Sequence, residues 1–183
     1  TLLIFTSDNG PEGRTPDDLG AYERIRESDH YSMGELRGIK RDAWEGGHRT
    51  PFLACWPDVI PAGSVCEQPV CLVDLMATCA EIIGAELTDD AGEDSVSMLP
   101  LLRGEVDRPT RESLIHHSLS GTFAVRKGKW VFIDAPSAAD HQEPDWFREQ
   151  RGSEPVGDQP GLLYDLSHDL AERHNLYAEH PEV

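Results

Sequence analysis

The sequence predicts an α/β protein whose carboxyl-terminal part forms a smaller antiparallel sheet. Three observations lead to this prediction. An apolar run at Leu2–Phe5 is followed by turn-forming residues, as in a buried strand that ends at a ligand-binding edge. Apolar residues at helical spacing follow Asp74 and stop at Gly84. Several short β-rich runs, separated by turn residues, follow Arg111.

The first predicted element is the strand at Leu2–Phe5, which polar and turn-forming residues end at Thr6–Pro11. Asp8 and Asn9 therefore lie at the carboxyl end of a strand, the edge at which open α/β sheets bind ligands. A carboxylate beside an amide carbonyl offers the oxygen ligands that Ca²⁺ or Mg²⁺ prefers. An ordinary Asx turn after a strand has the same residues, so the tetrapeptide alone leaves a structural interpretation open.

The segment Leu36–Arg49 gathers basic residues within a chain that is otherwise strongly acidic. Its glycines allow close approach of the backbone to a ligand, and the ammonium group of Lys40 can neutralise one oxygen of a bound oxyanion. The alternative is a surface loop whose basic residues pair with nearby carboxylates. We expect Arg37 to be structural and to pair with Glu45.

The residues after this basic segment are predicted to be architectural. Phe52–Trp56 predicts a buried strand in which Cys55 behaves as a small hydrophobe. Asp74 is predicted to cap an amphipathic helix that ends at Gly84. The apolar face of that helix would be formed by Leu75, Met76, Cys79, Ile82 and Ile83. These elements would complete a larger α/β domain over residues 1–106.

Residues 107–183 are predicted to form a small antiparallel subdomain. Its predicted strands cover residues 114–117, 122–126, 130–133 and 162–166. Residues 137–161 are rich in Pro, Asp, Glu and Gln and predict a long surface loop. Because adjacent strand residues point to opposite faces, His116 and His117 are not expected to bind one metal ion together.

The motifs at Leu2–Pro11, Leu36–Lys40 and Trp44–Pro51 together resemble those of the sulfatase family. The resemblance implies the carboxyl-terminal part of an alkaline-phosphatase-like α/β sheet sandwiched by helices, with a small antiparallel α+β subdomain after it. It also implies hydrolysis of a sulfate monoester, either of a sulfated sugar or of an aryl alcohol. A phosphate monoester or phosphonate hydrolase of the same superfamily and a non-catalytic relic are the alternatives.

The resemblance implies roles for five residues. Asp8 and Asn9 would bind calcium, with magnesium as the alternative ion. Related metal-dependent phosphatases typically have His where Asn9 stands, so the amide favours the sulfatase branch. Lys40 would contact the sulfate and neutralise charge on the leaving oxygen. His48 and His117 are the candidates for contacts with the substrate.

The nucleophile that the family implies is a formylglycine made from the first residue of a Cys/Ser-x-Pro-x-Arg segment. Cys55–Val59 and Ser153–Gly157 match the first and third positions but lack the arginine. The resemblance therefore indicates a carboxyl-terminal fragment with its nucleophile upstream. We expect these 183 residues alone to be inactive and to behave poorly when expressed.

Composition limits the partners. With 16 Lys and Arg residues against 34 Asp and Glu residues, the net charge is −18, which argues against binding nucleic acids or anionic membranes. No apolar stretch is long enough to span a bilayer. The cysteine spacing is unlike that of zinc sites, while Cys66 and Cys71 could pair after export. The resemblance implies the periplasm, the cell exterior or the lysosome, and the oligomeric state stays open.

Overall fold

The computed structural model describes all residues from Thr1 to Val183. In chain order its elements are β1 (Leu3–Thr6), α1 (Ala21–Ser28), α2 (Glu45–His48), β2 (Phe52–Cys55), α3 (Asp74–Ile83), α4 (Leu99–Leu102), β3 (Ser113–His117), β4 (Phe123–Lys127), β5 (Trp130–Ile133), α5 (Asp145–Arg151) and β6 (Leu162–Asp165). None of the five helices combines the length and the apolar character that crossing a bilayer requires.

The chain forms two compact units. The first unit contains residues 1–6 and 51–114, and the second contains residues 7–50 and 115–183. This division differs from a single boundary at residue 106, because the segment 7–50 packs with the carboxyl-terminal residues. Buried contacts such as the ion pair between Arg37 and Glu143 hold that segment in place. For a longer protein the division at residue 106 stays a prediction.

In the first unit, β1 and β2 pair antiparallel, with Leu3 opposite Cys55 and Thr6 opposite Phe52. The prediction that both strands are buried is wrong, because residues along each strand alternate between exposed and partly buried. Side chains alternate between the two faces of a strand, and only one face of this two-stranded sheet packs on the core around Met98. Leu3 and Cys55 lie on the other face and are exposed.

Helix α3 has the predicted extent and ends at Gly84, which adopts a left-handed conformation with φ 68°. The face predicted to be buried is wrong. Met76 and Cys79 are exposed, whereas Asp74 and Thr78 are buried. Thr78 Oγ1 donates a hydrogen bond to the Asp74 carbonyl and accepts one from the Met98 amide, so a polar side of the helix faces the interior.

The prediction that Asp74 caps the helix is wrong, because Val73 is the N-cap residue, Asp74 is the first residue of α3, and no side chain caps the helix. One carboxylate oxygen accepts a hydrogen bond from the Cys71 amide at 2.8 Å, and the other accepts one from the Val96 amide at 3.0 Å. Arg111 forms a salt bridge with the same carboxylate. The carboxylate of Asp74 is therefore paired, and its contacts join three segments of the unit.

Cys66 and Cys71, which could pair after export, are free thiols in the structure.

In the second unit, four strands form a sheet in the order β3-β4-β5-β6. Strand β5 pairs antiparallel with both β4 and β6, so the predicted meander is present. All four residues of β6 are buried. The core of this sheet includes Val131, Ile133, Leu162 and Tyr164, and the buried ring of Trp44 packs into the same cluster.

The three helices of the second unit, α1, α2 and α5, were not predicted, and two of them, α1 and α5, pack against each other. Helix α5 lies within the range 137–161, so the prediction of an uninterrupted loop there is wrong. Its Phe147 is 1% exposed and packs edge-on against Tyr22 of α1, with ring centroids 5.0 Å apart. Tyr22 and Ile25 form the buried face of α1. Each helix is short and carries several charges, and each is stabilised by this shared apolar contact rather than by its own length.

Candidate functional site

All five residues with predicted roles lie in the second unit. The basic segment there folds around the buried carboxylate of Asp42. One oxygen accepts a hydrogen bond from the Ile39 amide at 2.9 Å, and the other accepts bonds from the amides of Asp140 and His141. Gly38 has φ 85°, and a Cβ there would lie 2.9 Å from Trp44 Cβ. The turn therefore requires glycine.

Arg37 is structural, as predicted, but its partner is not Glu45. Its guanidinium donates to both carboxylate oxygens of Glu143, at 3.0 and 2.7 Å, and to the carbonyl oxygen of Glu172 at 2.9 Å. It also lies 4.2 Å from the centre of the Trp44 ring. The fork geometry of Arg suits a bidentate contact of this kind, so the pair anchors the start of the basic segment.

Glu45 instead pairs with two other arginines. One oxygen of its buried carboxylate accepts hydrogen bonds from Arg49 at 3.0 Å and from Arg126 at 3.4 Å. Its backbone amide donates to a carboxylate oxygen of Glu172 at 2.8 Å. Burial, followed by the negative charge of Glu45, raises the pKa of Glu172 well above its ordinary value. Glu172 is thus favoured as an uncharged acid in the interior.

The segment with Asp8 and Asn9 is tied to the basic segment by backbone hydrogen bonds. The Gly10 amide donates to the Gly47 carbonyl, and the Lys40 amide donates to the Pro11 carbonyl, both at 2.9 Å. A Cβ on Gly10 would lie 1.8 Å from the Gly46 carbonyl oxygen, so the two backbone segments are in direct contact here. The structure therefore brings together the two motifs that the sequence singles out.

Asn9 is oriented by its neighbours. Its side-chain amide donates to the Gly10 carbonyl at 2.9 Å, which leaves the amide oxygen as the group available to a cation. The Ser7 hydroxyl donates to the Asn9 carbonyl at 3.1 Å, and Asp8 is exposed. A carboxylate and an amide oxygen fit a hard divalent ion. The chain contains no cluster of three or more His, Cys, Asp or Glu side chains placed for a metal, so these two oxygens would be a partial ligand set.

Lys40 forms an ion pair with Glu12, whose carboxylate oxygen lies 2.9 Å from the lysine Nζ. Arg41 donates to the other oxygen of Glu12 at 2.8 Å. The hydrogen bond from Lys40 lowers the pKa of Glu12, and the positive charge of Arg41 adds to this effect. Glu12 was not singled out from the sequence, because nothing local distinguishes it from the many other acidic residues of the chain.

The two predicted substrate histidines have different surroundings. His48 ends α2, and its ring lies tilted against that of His116 with centroids 3.7 Å apart. His117 is exposed, approaches the Ser118 carbonyl at 2.7 Å and packs edge-on against Phe123. Of the adjacent residues His116 and His117, it is therefore His116, which was not predicted to have a role, that contacts the basic segment. Strand alternation gives this separation, but the sequence does not tell which face meets His48.

Comparisons with known proteins agree with these motifs. A family model described as "Sulfatase" matches residues 1–85. The N-acetylgalactosamine-6-O-sulfatase of Bacteroides thetaiotaomicron is 37% identical over 183 residues, which cover 100% of this chain and 34% of that protein. The chain is thus similar to a sulfatase along its whole length. Arylsulfatase A of Bos taurus is 35% identical over 189 residues, covering 100% of this chain and 34% of the relative.

The fold agrees with that of solved sulfatase structures. A structure from a study of glycosaminoglycan metabolism by Bacteroides thetaiotaomicron matches with a TM-score of 0.75 and 33% identity, over 100% of this chain and 36% of the other. The α/β architecture with antiparallel sheets is thus that of a sulfatase part. The chain spans about a third of the length of the curated relatives that it matches.

Proposed function

We propose that this chain is the carboxyl-terminal part of a sulfatase that hydrolyses sulfate monoesters to an alcohol and inorganic sulfate. The observation that carries the proposal is the similarity to sulfatases along the whole chain, which includes the Asn9 and Lys40 motifs. The name of the Bacteroides relative supports a sulfated sugar as the substrate. The nucleophile would be a formylglycine outside these 183 residues.

Lys40 would act on the sulfate group. Its ammonium is already held beside a carboxylate at 2.9 Å, so the side chain is extended and oriented before any substrate arrives. A sulfate oxygen that replaces Glu12 as its partner would gain a charge-assisted hydrogen bond. As the ester bond breaks, negative charge grows on the leaving oxygen, and a fixed ammonium stabilises that charge more than it stabilises the bound ester.

Asp8 and Asn9 would supply two oxygen ligands to a calcium ion, with magnesium as the alternative. The donor set fits, because both groups are hard oxygen ligands and the amide oxygen of Asn9 is directed by the hydrogen bond that its nitrogen makes to Gly10. When bound, such an ion supplies positive charge that polarises the sulfate ester. The close contact between Gly10 and Gly46 would keep both ligands next to the basic segment.

His48 and His117 would contact the rest of the substrate. The ring of His48 is in close contact with that of His116, whereas His117 lies on the exposed side of β3. Its exposure makes His117 the more adaptable of the two, although its ring approaches the Ser118 carbonyl and the Phe123 ring. His48 and His117 would distinguish one alcohol part of the substrate from another, while the ammonium of Lys40 would bind the sulfate group that all substrates share.

The proposal is tested with the complete protein encoded by the gene, assayed for sulfate release from 4-nitrophenyl sulfate and from N-acetylgalactosamine 6-sulfate. We expect Lys40→Ala to lower kcat by roughly 10²–10³-fold, the loss typical of removing one charge-stabilising group. Lys129→Ala is the matched control, since Lys129 is also an ion-paired lysine but lies on the carboxyl-terminal sheet. Failure of the wild-type protein to release sulfate, or equal activity of Lys40→Ala, would contradict the proposal.

A further inference from the structure

The close contact between the rings of His48 and His116 suggests how a substrate is positioned. The two ring planes meet at 41°, with 3.7 Å between the centroids. His48 is at the end of α2 and His116 is within β3, so the pair joins the basic segment to the antiparallel sheet. A contact this close fixes the plane of the His48 ring if His116 is itself fixed.

His116 is fixed by the backbone of the basic segment. Its Nε2 lies 3.0 Å from the carbonyl oxygen of Ala43. Because a carbonyl can only accept a hydrogen bond, the proton of the neutral ring is at Nε2. Ala43 is completely buried, and its amide donates to the Ala138 carbonyl at 2.8 Å, so the acceptor cannot easily move. His116 therefore presents one defined ring face to His48.

The surroundings favour uncharged rings. Burial is the main cause that lowers the pKa of His48 to about 3; the nearby His116, Arg126 and Arg49 act in the same direction, and a backbone hydrogen bond at Ala43 opposes them. Burial also lowers the pKa of His116, against the opposing influence of the Ala43 carbonyl and of Glu45. An uncharged imidazole has no electrostatic advantage as a partner for sulfate. It is better suited to the neutral part of a substrate.

The ring nitrogen Nε2 of His48 lies on the buried side of the residue, next to Glu45. This nitrogen is buried without a hydrogen-bond partner, 4.0 Å from a similarly unpartnered oxygen of Glu45. The two arginines beside that carboxylate bind its other oxygen. The His48 side chain is 27% exposed, so part of it can be reached from solvent. We assign the ligand contact to that exposed part, with the Glu45 side as its support.

We propose that His116 is a positioning residue that orients His48 toward the uncharged sugar part of a sulfated saccharide. This proposal rests on the proposed sulfatase function. His116 acts only through His48, while Lys40 and the metal ligands act on the sulfate group. The expected result of disturbing His116 is therefore weaker recognition of a sugar sulfate, with little change for a sulfate ester that has no sugar ring.

The test compares N-acetylgalactosamine 6-sulfate with 4-nitrophenyl sulfate in the complete enzyme. We expect His116→Ala to raise KM for the sugar sulfate about ten-fold, as for one lost polar or packing contact, with kcat for both substrates within about three-fold of wild type. His116→Gln should recover part of the loss, because its amide can still donate to the Ala43 carbonyl. His30→Ala is the matched control, since His30 is exposed in the same unit.

Nuclear magnetic resonance provides a readout that does not depend on activity. In the wild-type protein the His116 proton should be found at Nε2, and the His48 ring should stay uncharged at pH 6. His116→Ala should raise the pKa of His48, because it removes both the burial and the neighbouring ring. An unchanged KM for the sugar sulfate, or equal losses for both substrates, would overturn the inference. A wild-type enzyme inactive on both substrates would instead contradict the proposed function and leave the measured proton position valid.

Discussion

Arg37 illustrates how a cationic residue beside a predicted catalytic lysine can have a purely structural role. Burial opposes its charge, yet the ion pair with Glu143 outweighs that effect and raises the pKa of Arg37. The partner is 106 residues away in the sequence. The guanidinium also covers the Trp44 ring. Arg37 therefore holds the start of the basic segment on the core, and Lys40 depends on it only indirectly.

We predict that Arg37→Ala lowers the free energy of unfolding by about 3–5 kcal/mol, because it leaves the carboxylate of Glu143 buried without its partner. Arg37→Lys should also destabilise, since an ammonium cannot donate two parallel hydrogen bonds to one carboxylate. Urea denaturation followed by tryptophan fluorescence measures both changes. Arg148→Ala is the control, because Arg148 pairs with the exposed Asp145, and its loss should cost less than about 1 kcal/mol. If Arg37→Ala lowered the free energy of unfolding by less than about 1 kcal/mol, the buried ion pair with Glu143 would not be important for stability.

At the scale of elements, local patterns predicted the helix α3 and the strands of the carboxyl-terminal sheet. They did not predict which side of α3 is buried. The exposed stripe with Met76 and Cys79 is apolar, while the buried side carries Asp74 and Thr78. Periodicity assigns the interior to apolar residues, but hydrogen bonds to the backbone amides of other segments can bury a polar side instead.

The candidate site shows the same limit. The segments around Asn9 and Lys40 were identified because each is a compact local motif, and the structure brings these segments together. Glu12 and His116 were missed, because their importance comes from partners that only folding brings near. The short helix α5 was missed for a similar reason, since the burial of Phe147 against α1 stabilises it.

Asp74 allows a prediction about α3. Asp74→Ala should lower the free energy of unfolding by about 2–4 kcal/mol, because it leaves the buried amides of Cys71 and Val96 and the guanidinium of Arg111 without their acceptor. Thermal unfolding followed by circular dichroism gives the change in Tm. Replacement of the exposed Asp89 by alanine is the control and should have little effect. If Asp74→Ala were as stable as the control, the contacts of the Asp74 carboxylate would not contribute to stability.

At the scale of the whole molecule, acidic residues outnumber basic ones by 34 to 16, yet the proposed substrate is an anion. The conflict is resolved locally, because charges farther apart than about 10 Å are largely screened at physiological salt. Lys40 and Arg41 are held together by the single carboxylate of Glu12. The net charge of these three side chains is +1, which gives an anion a favourable site on an acidic protein.

The exposed face of the two-stranded sheet bears on how the chain behaves by itself. Leu3, Phe5 and Leu53 are each more than half exposed and lie on neighbouring strands. Exposed apolar strands with free edges promote association. The 183 residues expressed alone should therefore associate or aggregate. The relatives are about three times longer, which leaves ample chain to cover this face.

We predict that these 183 residues, purified alone and supplied with calcium, release no sulfate from 4-nitrophenyl sulfate or N-acetylgalactosamine 6-sulfate. Asp8, Asn9 and Lys40 would position and polarise an ester, but the chain has no Cys/Ser-x-Pro-x-Arg segment to provide a nucleophile. The complete gene product should contain that segment upstream and turn over both esters. Lys40→Ala in each protein is the control against a contaminating enzyme. Turnover by the 183 residues alone that disappears in Lys40→Ala would show that the nucleophile lies within this chain.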